Sequence, residues 1–115
     1  MATWVKGTIR LTEPLLFEHP EKNVVILGDL SSDHDIVFKV KNLVVFGTLS
    51  TSKHVLIQTS KDFFNSGKIL AKNGVDIVAD HAYNRLNEEA IERIRALGIE
   101  LTQTPSGLLN VVAPR

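Results

Sequence analysis

Lys22-Asn23-Val24-Val25-Ile26-Leu27-Gly28-Asp29-Leu30 is followed by Lys41-Asn42-Leu43-Val44-Val45-Phe46-Gly47-Thr48-Leu49, and then by Lys61-Asp62-Phe63-Phe64-Asn65-Ser66-Gly67-Lys68-Ile69. Each stretch opens on lysine, runs through a hydrophobic core and bends at glycine. A second, chemically unrelated mark keeps the step set by Gly28, Gly47 and Gly67: Ile36 and Phe38 align with Val55 and Ile57, and those with Val75 and Ile77. One further step back, Gly7 and Ile9 align with Gly28 and Leu30, and Leu15 and Phe17 with Ile36 and Phe38. A near-constant period of about 20 residues is the mark of a repeat architecture.

Within a unit the apolar residues alternate, as in Val24, Ile26 and Leu30 and then Ile36, Phe38 and Val40, which is strand spacing. About 20 residues leave no room for a crossover helix, and the Val, Ile, Thr and Phe content favours strands. Each unit therefore reads as one coil of two or three short strands stacked about 4.8 Å from the next. The chain is expected to be mainly β, a parallel β-helix of about 20 residues per turn and roughly four turns. Glycine marks the bends, through positive φ or tight packing. The competing all-β reading is a meander of hairpins. It gives no reason for glycine and apolar positions to return in the same order at every step.

One domain is expected over residues 1–115: a degenerate first turn (1–21), solenoid repeats (22–80), and a terminal region (81–115). In the last, Ala90, Ile91, Ile94 and Leu97 share one helical stripe, so a helix is expected over 87–97. Asn87 suits its N-cap, Glu88 and Glu89 its positive end, Arg93 and Arg95 its far end, and Gly98 the C′ position. Such a helix is able to cap a solenoid, hiding its last hydrophobic layer and unpaired strand edge. Ile99–Thr102 and Leu108–Val112, around a Thr104-Pro105-Ser106-Gly107 turn, read as two further strands.

Thirteen basic residues balance thirteen acidic ones, and 43% of the chain is hydrophobic, so a folded core is expected and the charge footprint of a nucleic-acid binder is missing. No nucleic-acid partner and no membrane span are expected. There is no cysteine, hence neither a disulfide framework nor a thiolate metal site. Met1 to Thr12 lacks the uninterrupted apolar run of a signal peptide. The chain as written reads as soluble, with any export signal lying elsewhere if it is a fragment.

If Val24, Ile26 and their equivalents point inward, alternation sends Val25, Val44 and Phe64 outward in one ladder, extended by Trp4, and Leu27 and Phe46 outward in a second. Burying four such side chains contributes on the order of 6 to 12 kcal/mol at about 1.5 to 3 each, so the stripe should be covered. Its own helix, a strand of the tail, or another subunit could do this. An uncapped N-terminal coil could also accept a second solenoid end-on and grow a filament.

Catalytic signals are weak. Asp33-His34-Asp35 is the most polar cluster, and Asp35 falls in register with His54, but the four histidines His19, His34, His54 and His81 have no metal-ligand spacing. The acids Asp29, Asp62 and Asp76 are scattered, and no nucleophile elbow, phosphate loop or dinucleotide fingerprint occurs. No catalytic residue, cofactor or metal is expected. Asn65 replaces an inward Ile26 or Val45 and must find hydrogen-bond partners, with a backbone group at the bend the expected one. Lys22, Lys41 and Lys61 form a column that His81 would continue, facing water or an anionic ligand such as an acidic sugar.

Asn65-Ser66-Gly67-Lys68-Ile69-Leu70-Ala71-Lys72-Asn73-Gly74-Val75-Asp76-Ile77-Val78-Ala79 resembles the filamentous haemagglutinin-type repeats of bacterial two-partner secretion exoproteins, which run Asn-x-Gly-x-hydrophobic-x-Ala-x-x-Gly. The resemblance covers Lys22 to Asp80. It implies a right-handed coil serving as a surface stalk, adhesin or delivery arm, secreted or at the cell surface. The length and the Gly-Asp-Leu pattern also resemble bactofilins, which implies a self-assembling cytoplasmic scaffold. The Asn87–Gly98 helix has no counterpart in the haemagglutinin-type repeats, and a terminal helix is not the usual cap of bactofilins, whose turns are nearer about 17 residues than 20. The sequence thus points to a non-enzymatic structural or protein-interaction solenoid, with a carbohydrate-binding β-helix as the third reading.

Overall fold

The computed structural model describes residues 2–103, 105 and 109–113. β1 (Ala2–Val5), β2 (Thr8–Leu11) and the first part of β3 (Leu15–Ile26) make one circuit. The rest of β3, β4 (Asp29–Ser32) and the first part of β5 (Ile36–Val45) make the second. The third takes the rest of β5, β6 (Thr48–Thr51) and β7 (Val55–Thr59); the fourth takes β8 (Asp62–Asn65), β9 (Lys68–Ala71) and β10 (Val75–Val78). β11 (His81–Tyr83) opens a fifth. The solenoid therefore runs past Asp80.

Every pairing between circuits is parallel. Ala2 lies beside Asn23, Asn23 beside Asn42, Leu43 beside Phe63 and Asp62 beside His81, so the register advances by nearly the same step at every turn. Ile36 pairs with Val55 and Val55 with Val75, which excludes the hairpin meander. The degenerate first turn also keeps its register, with Ile9 beside Leu30 and Leu15 beside Ile36.

The coil has three sides. The first carries β1, the second parts of β3 and β5, β8 and β11; the second carries β2, β4, β6 and β9; the third carries the first parts of β3 and β5, β7 and β10. Alternation turns Val24, Ile26, Leu30, Ile36, Phe38, Leu43, Val45, Leu49, Val55, Ile57 and Phe63 into one buried interior column set.

The repeat glycines serve close approach. A Cβ on Gly28 would stand 1.9 Å from the Gly7 carbonyl oxygen, and one on Gly47 or Gly67 would stand 1.9 Å from that of the glycine one turn below. Of the two expected uses of glycine, tight packing applies at these corners, while Gly7, Gly74 and Gly98 take positive φ.

α1 (Glu88–Ala96) follows β11 after only Asn84–Asn87, and β12 (Glu100–Gln103) pairs antiparallel with β13 (Leu109–Val112) as a separate hairpin. The turn expected at Thr104–Gly107 lies, Pro105 apart, outside the described residues. Asn87 caps the helix, its Oδ1 accepting from the Ala90 amide at 2.8 Å, and Glu88 and Glu89 sit at its positive end. No helix among the described residues is long and apolar enough to cross a membrane.

The expected capping role goes a different way. The short link leaves the chain on the first side, so the helix folds back over the outside of that side and, among the described residues, nothing covers the C-terminal end of the solenoid. Val75 and Ile77, which continue the buried columns of Val55 and Ile57, are 37% and 40% exposed.

Candidate interaction surface

The outward ladder on the first side forms as the alternation requires. Trp4 lies beside Val25, Val25 beside Val44, Val44 beside Phe64 and Phe64 beside Tyr83. The Phe64 and Tyr83 rings stack with centroids 5.2 Å apart and planes 4° apart. Val25, Val44 and Phe64 are buried together with Ala90, Ile91 and Ile94 of the helix and Ile99 and Leu101 of the tail. Trp4 and Phe46 pack at the rim of this cluster, whereas Leu27 is half-buried and belongs to neither cluster of described residues. Of the proposed stripe, the structure thus unites Trp4, Val25, Val44, Phe46 and Phe64 and leaves Leu27 apart.

The helix fits the ladder in length and direction. Nine residues span about 13.5 Å, close to the roughly 14.4 Å of the three strand spacings from Phe64 to Trp4, with Tyr83 one further spacing beyond. Its start is tied to the last rung, where the Tyr83 hydroxyl donates to Glu89 Oε2 at 3.0 Å. Its far end lies by the first rung, where Ala2, Trp4, Leu97, Gly98 and Val112 border a cleft of about 640 Å³. Between them Arg93 Nη1 donates to Asp62 Oδ2 at 3.1 Å, and His81 Nδ1 lies 3.1 Å from Asp62 Oδ1. Removal from water and the Glu89 hydrogen bond raise the Tyr83 phenol above its ordinary value; the hydrogen bond to Asp62 raises Arg93.

Tyr83 is the member of this surface that the sequence reading lacks. Two signals pointed to it: aromatic residues at 64 and 83 and asparagines at 65 and 84, both pairs at the spacing of Gly28 and Gly47. His81 moves accordingly. It continues the column Asn23, Asn42 and Asp62, and the column of Lys22, Lys41 and Lys61 goes on to Asp80, whose amide donates to the Lys61 carbonyl at 2.7 Å.

The polar candidates resolve into structural bonds. Asp35 and His54 are in register, but Asp35 Oδ1 accepts the His54 amide at 3.1 Å while the imidazole Nε2 lies 2.8 Å from Asp76 Oδ2. Asn65 accepts from the Gly67 amide at 3.1 Å, the backbone partner at the bend, and donates to Asn84 at 3.0 Å. Asn42, buried, donates to Asn23 at 2.9 Å and accepts from the Asp62 amide at 2.9 Å. A second, open cleft of about 710 Å³ is bordered by Arg10, Ser31, Ser50, Leu70 and Lys72. At its edge Ser32 and Ser52 donate to the carbonyls of Glu13 and Asp33, and Thr51 to that of His34. Among the described residues no three or more His, Asp or Glu side chains gather as a metal cage.

Comparison with protein-family models, curated proteins and solved structures returns no match. The fold defines the chain as a parallel β-solenoid of about four turns with a helix laid along one flank.

Proposed function

We propose that the chain is a structural, protein-interaction module whose working surface is the open end of its solenoid, and that it self-associates there. The observation that carries this reading is the bare last rung. Every residue of β10 is exposed, and neither β9 nor β10 has a strand on its outer edge among the described residues. Parallel edges backed by apolar side chains pair readily with further strands. The flank stripe, by contrast, already has an occupant in the helix. Light scattering on the full chain over a concentration series tests the reading: the mass should rise with concentration, and a constant monomer mass would overturn it.

The Asn65–Gly67 corner favours a second reading. The side chain of Asn65 closes the bend through the Gly67 amide, giving the Asn-x-Gly element that resembles haemagglutinin-type repeats a mechanical role. In an exoprotein stalk the same corner would hold each circuit at its bend.

A further inference from the structure

The two ends of this solenoid are staircases. A coil that climbs one strand spacing per circuit, about 4.8 Å, places its three sides at successive heights. At the C-terminal end β9 is the low step, β10 the middle and β11 the high one. The first side holds five strands and the other two hold four each.

That extra strand decides how two copies can meet. In a head-to-tail joint, β2 of the next copy would follow β9 and the first part of its β3 would follow β10. Its β1 would then need the place that β11 already fills. Moving it one spacing away frees β1 and leaves a missing strand on both other sides. Two C-terminal ends related by a two-fold axis have no such conflict. The high step β11 meets the low step β9 of the other copy, twice, and β10 meets β10 across the axis.

Resting on the self-association reading, we propose that this chain forms a two-fold dimer through its C-terminal ends, with β10 pairing antiparallel with its own copy. Opposite residues of an antiparallel pair share a face. Centring the pair on Ile77 sets Ile77 against Ile77 and Val75 against Ala79, keeping apolar side chains inside. Ile69 of β9 then faces Ala82 of β11, which sets Asp80 of one copy opposite Ala71 and one residue from Lys72 of the other, at two symmetric places. Lys72 and Asp80 are both exposed, and no ion pair within the described residues engages either. The charges of the two surfaces are complementary. The N-terminal end is less bare on its first side, where β1 is half-buried throughout and Ala2 and Val111 both pack against the flank cluster, while its β2 stays largely exposed, with Ile9 at 38%.

The chain has no cysteine, so a single introduced thiol reports on symmetry directly. Opposed residues of an antiparallel pair stand about 4.5 to 5.5 Å apart at Cα, within disulfide reach. Ile77→Cys should give covalent dimers on mild oxidation, and Ile9→Cys at the other end should stay monomeric. Lys72→Glu, an exposed change that spares the core, should weaken the wild-type dimer about tenfold, and Lys72→Glu with Asp80→Lys should restore it. Self-association without the Ile77 cross-link and without the charge rescue overturns the C-terminal two-fold while leaving the wider reading intact. A wild-type chain that never leaves the monomer overturns both.

Discussion

Replacing Gly47 by alanine, which stands for the equivalent changes at Gly28 and Gly67, should be strongly damaging for a single added methyl. The new Cβ would stand 1.9 Å from the Gly28 carbonyl oxygen, 2.7 Å from that of Leu27 and 2.8 Å from the Gly28 carbonyl carbon. These are backbone atoms, so no side-chain rotation relieves the contact. The corner must open, and with it the bonds from the Phe46 and Gly47 amides to the Ile26 carbonyl (2.8 and 3.0 Å) and from the Thr48 amide to the Gly28 carbonyl (3.1 Å). Three such bonds at about 1 kcal/mol each, with an overpacking cost of about 1 to 3, give about 4 to 6 kcal/mol. A chain of 115 residues has a total stability of about 6 to 17 kcal/mol, so the loss takes at least about a fifth of it. Gly98→Ala is the internal control. Its Cβ meets nothing within 4 Å, and its cost is only that of positive φ, about 1 to 2 kcal/mol. Urea titration of both variants, followed by far-UV circular dichroism, measures the difference. If Gly47→Ala costs no more than Gly98→Ala, the stacked-corner reasoning is wrong.

Phe64→Ala removes the largest fully buried side chain under the helix and should cost about 3 to 5 kcal/mol, with the amides of residues 90–96 losing hydrogen-exchange protection before those of β5. Asn42→Leu strands the Asp62 amide and the Asn23 carboxamide, and denaturant titration should show a loss of about 1 to 3 kcal/mol. Tyr83 is the one tyrosine, so alkaline absorbance titration reads it alone: it should ionise above the ordinary phenol value near 10, and Glu89→Gln should bring it back toward that value. Because the fold favours the neutral phenol, its contribution to stability is complete below the pH at which unfolded tyrosine ionises. It is lost as pH rises through the raised value.

The solenoid was legible because its physics is periodic. Inward positions such as Ile36, Val55 and Val75 occupy the same environment once per circuit, and Gly28, Gly47 and Gly67 face the same steric limit. The helix was legible too, since Asn87 and Gly98 mark its ends in composition alone. Where that helix lies was only partly legible, since the stripe of Val25, Val44 and Phe64 and the end of the solenoid both offered it an apolar surface to cover. Its stripe of Ala90, Ile91 and Ile94 suits any apolar surface, and the choice of flank over end follows from Tyr83, which makes β11 the launching strand. That strand is short and the residue before it, Asp80, breaks the lysine column, so the period fades from view there. The partner of His54 was hidden for a similar reason: register brings Asp35 alongside, but the side chain reaches the other way, to Asp76.

Everything rests on strand neighbours being separated by a near-constant stretch of chain. Backbone nuclear Overhauser contacts on a labelled sample measure this directly. Cross-strand contacts should link Ile36 to Val55 and Val55 to Val75, and the same step should recur from Ala2 and Asn23 to Asp62 and His81. Contacts mirrored about a turn, in which one residue number rises as its partner's falls, would belong to hairpins and would contradict it.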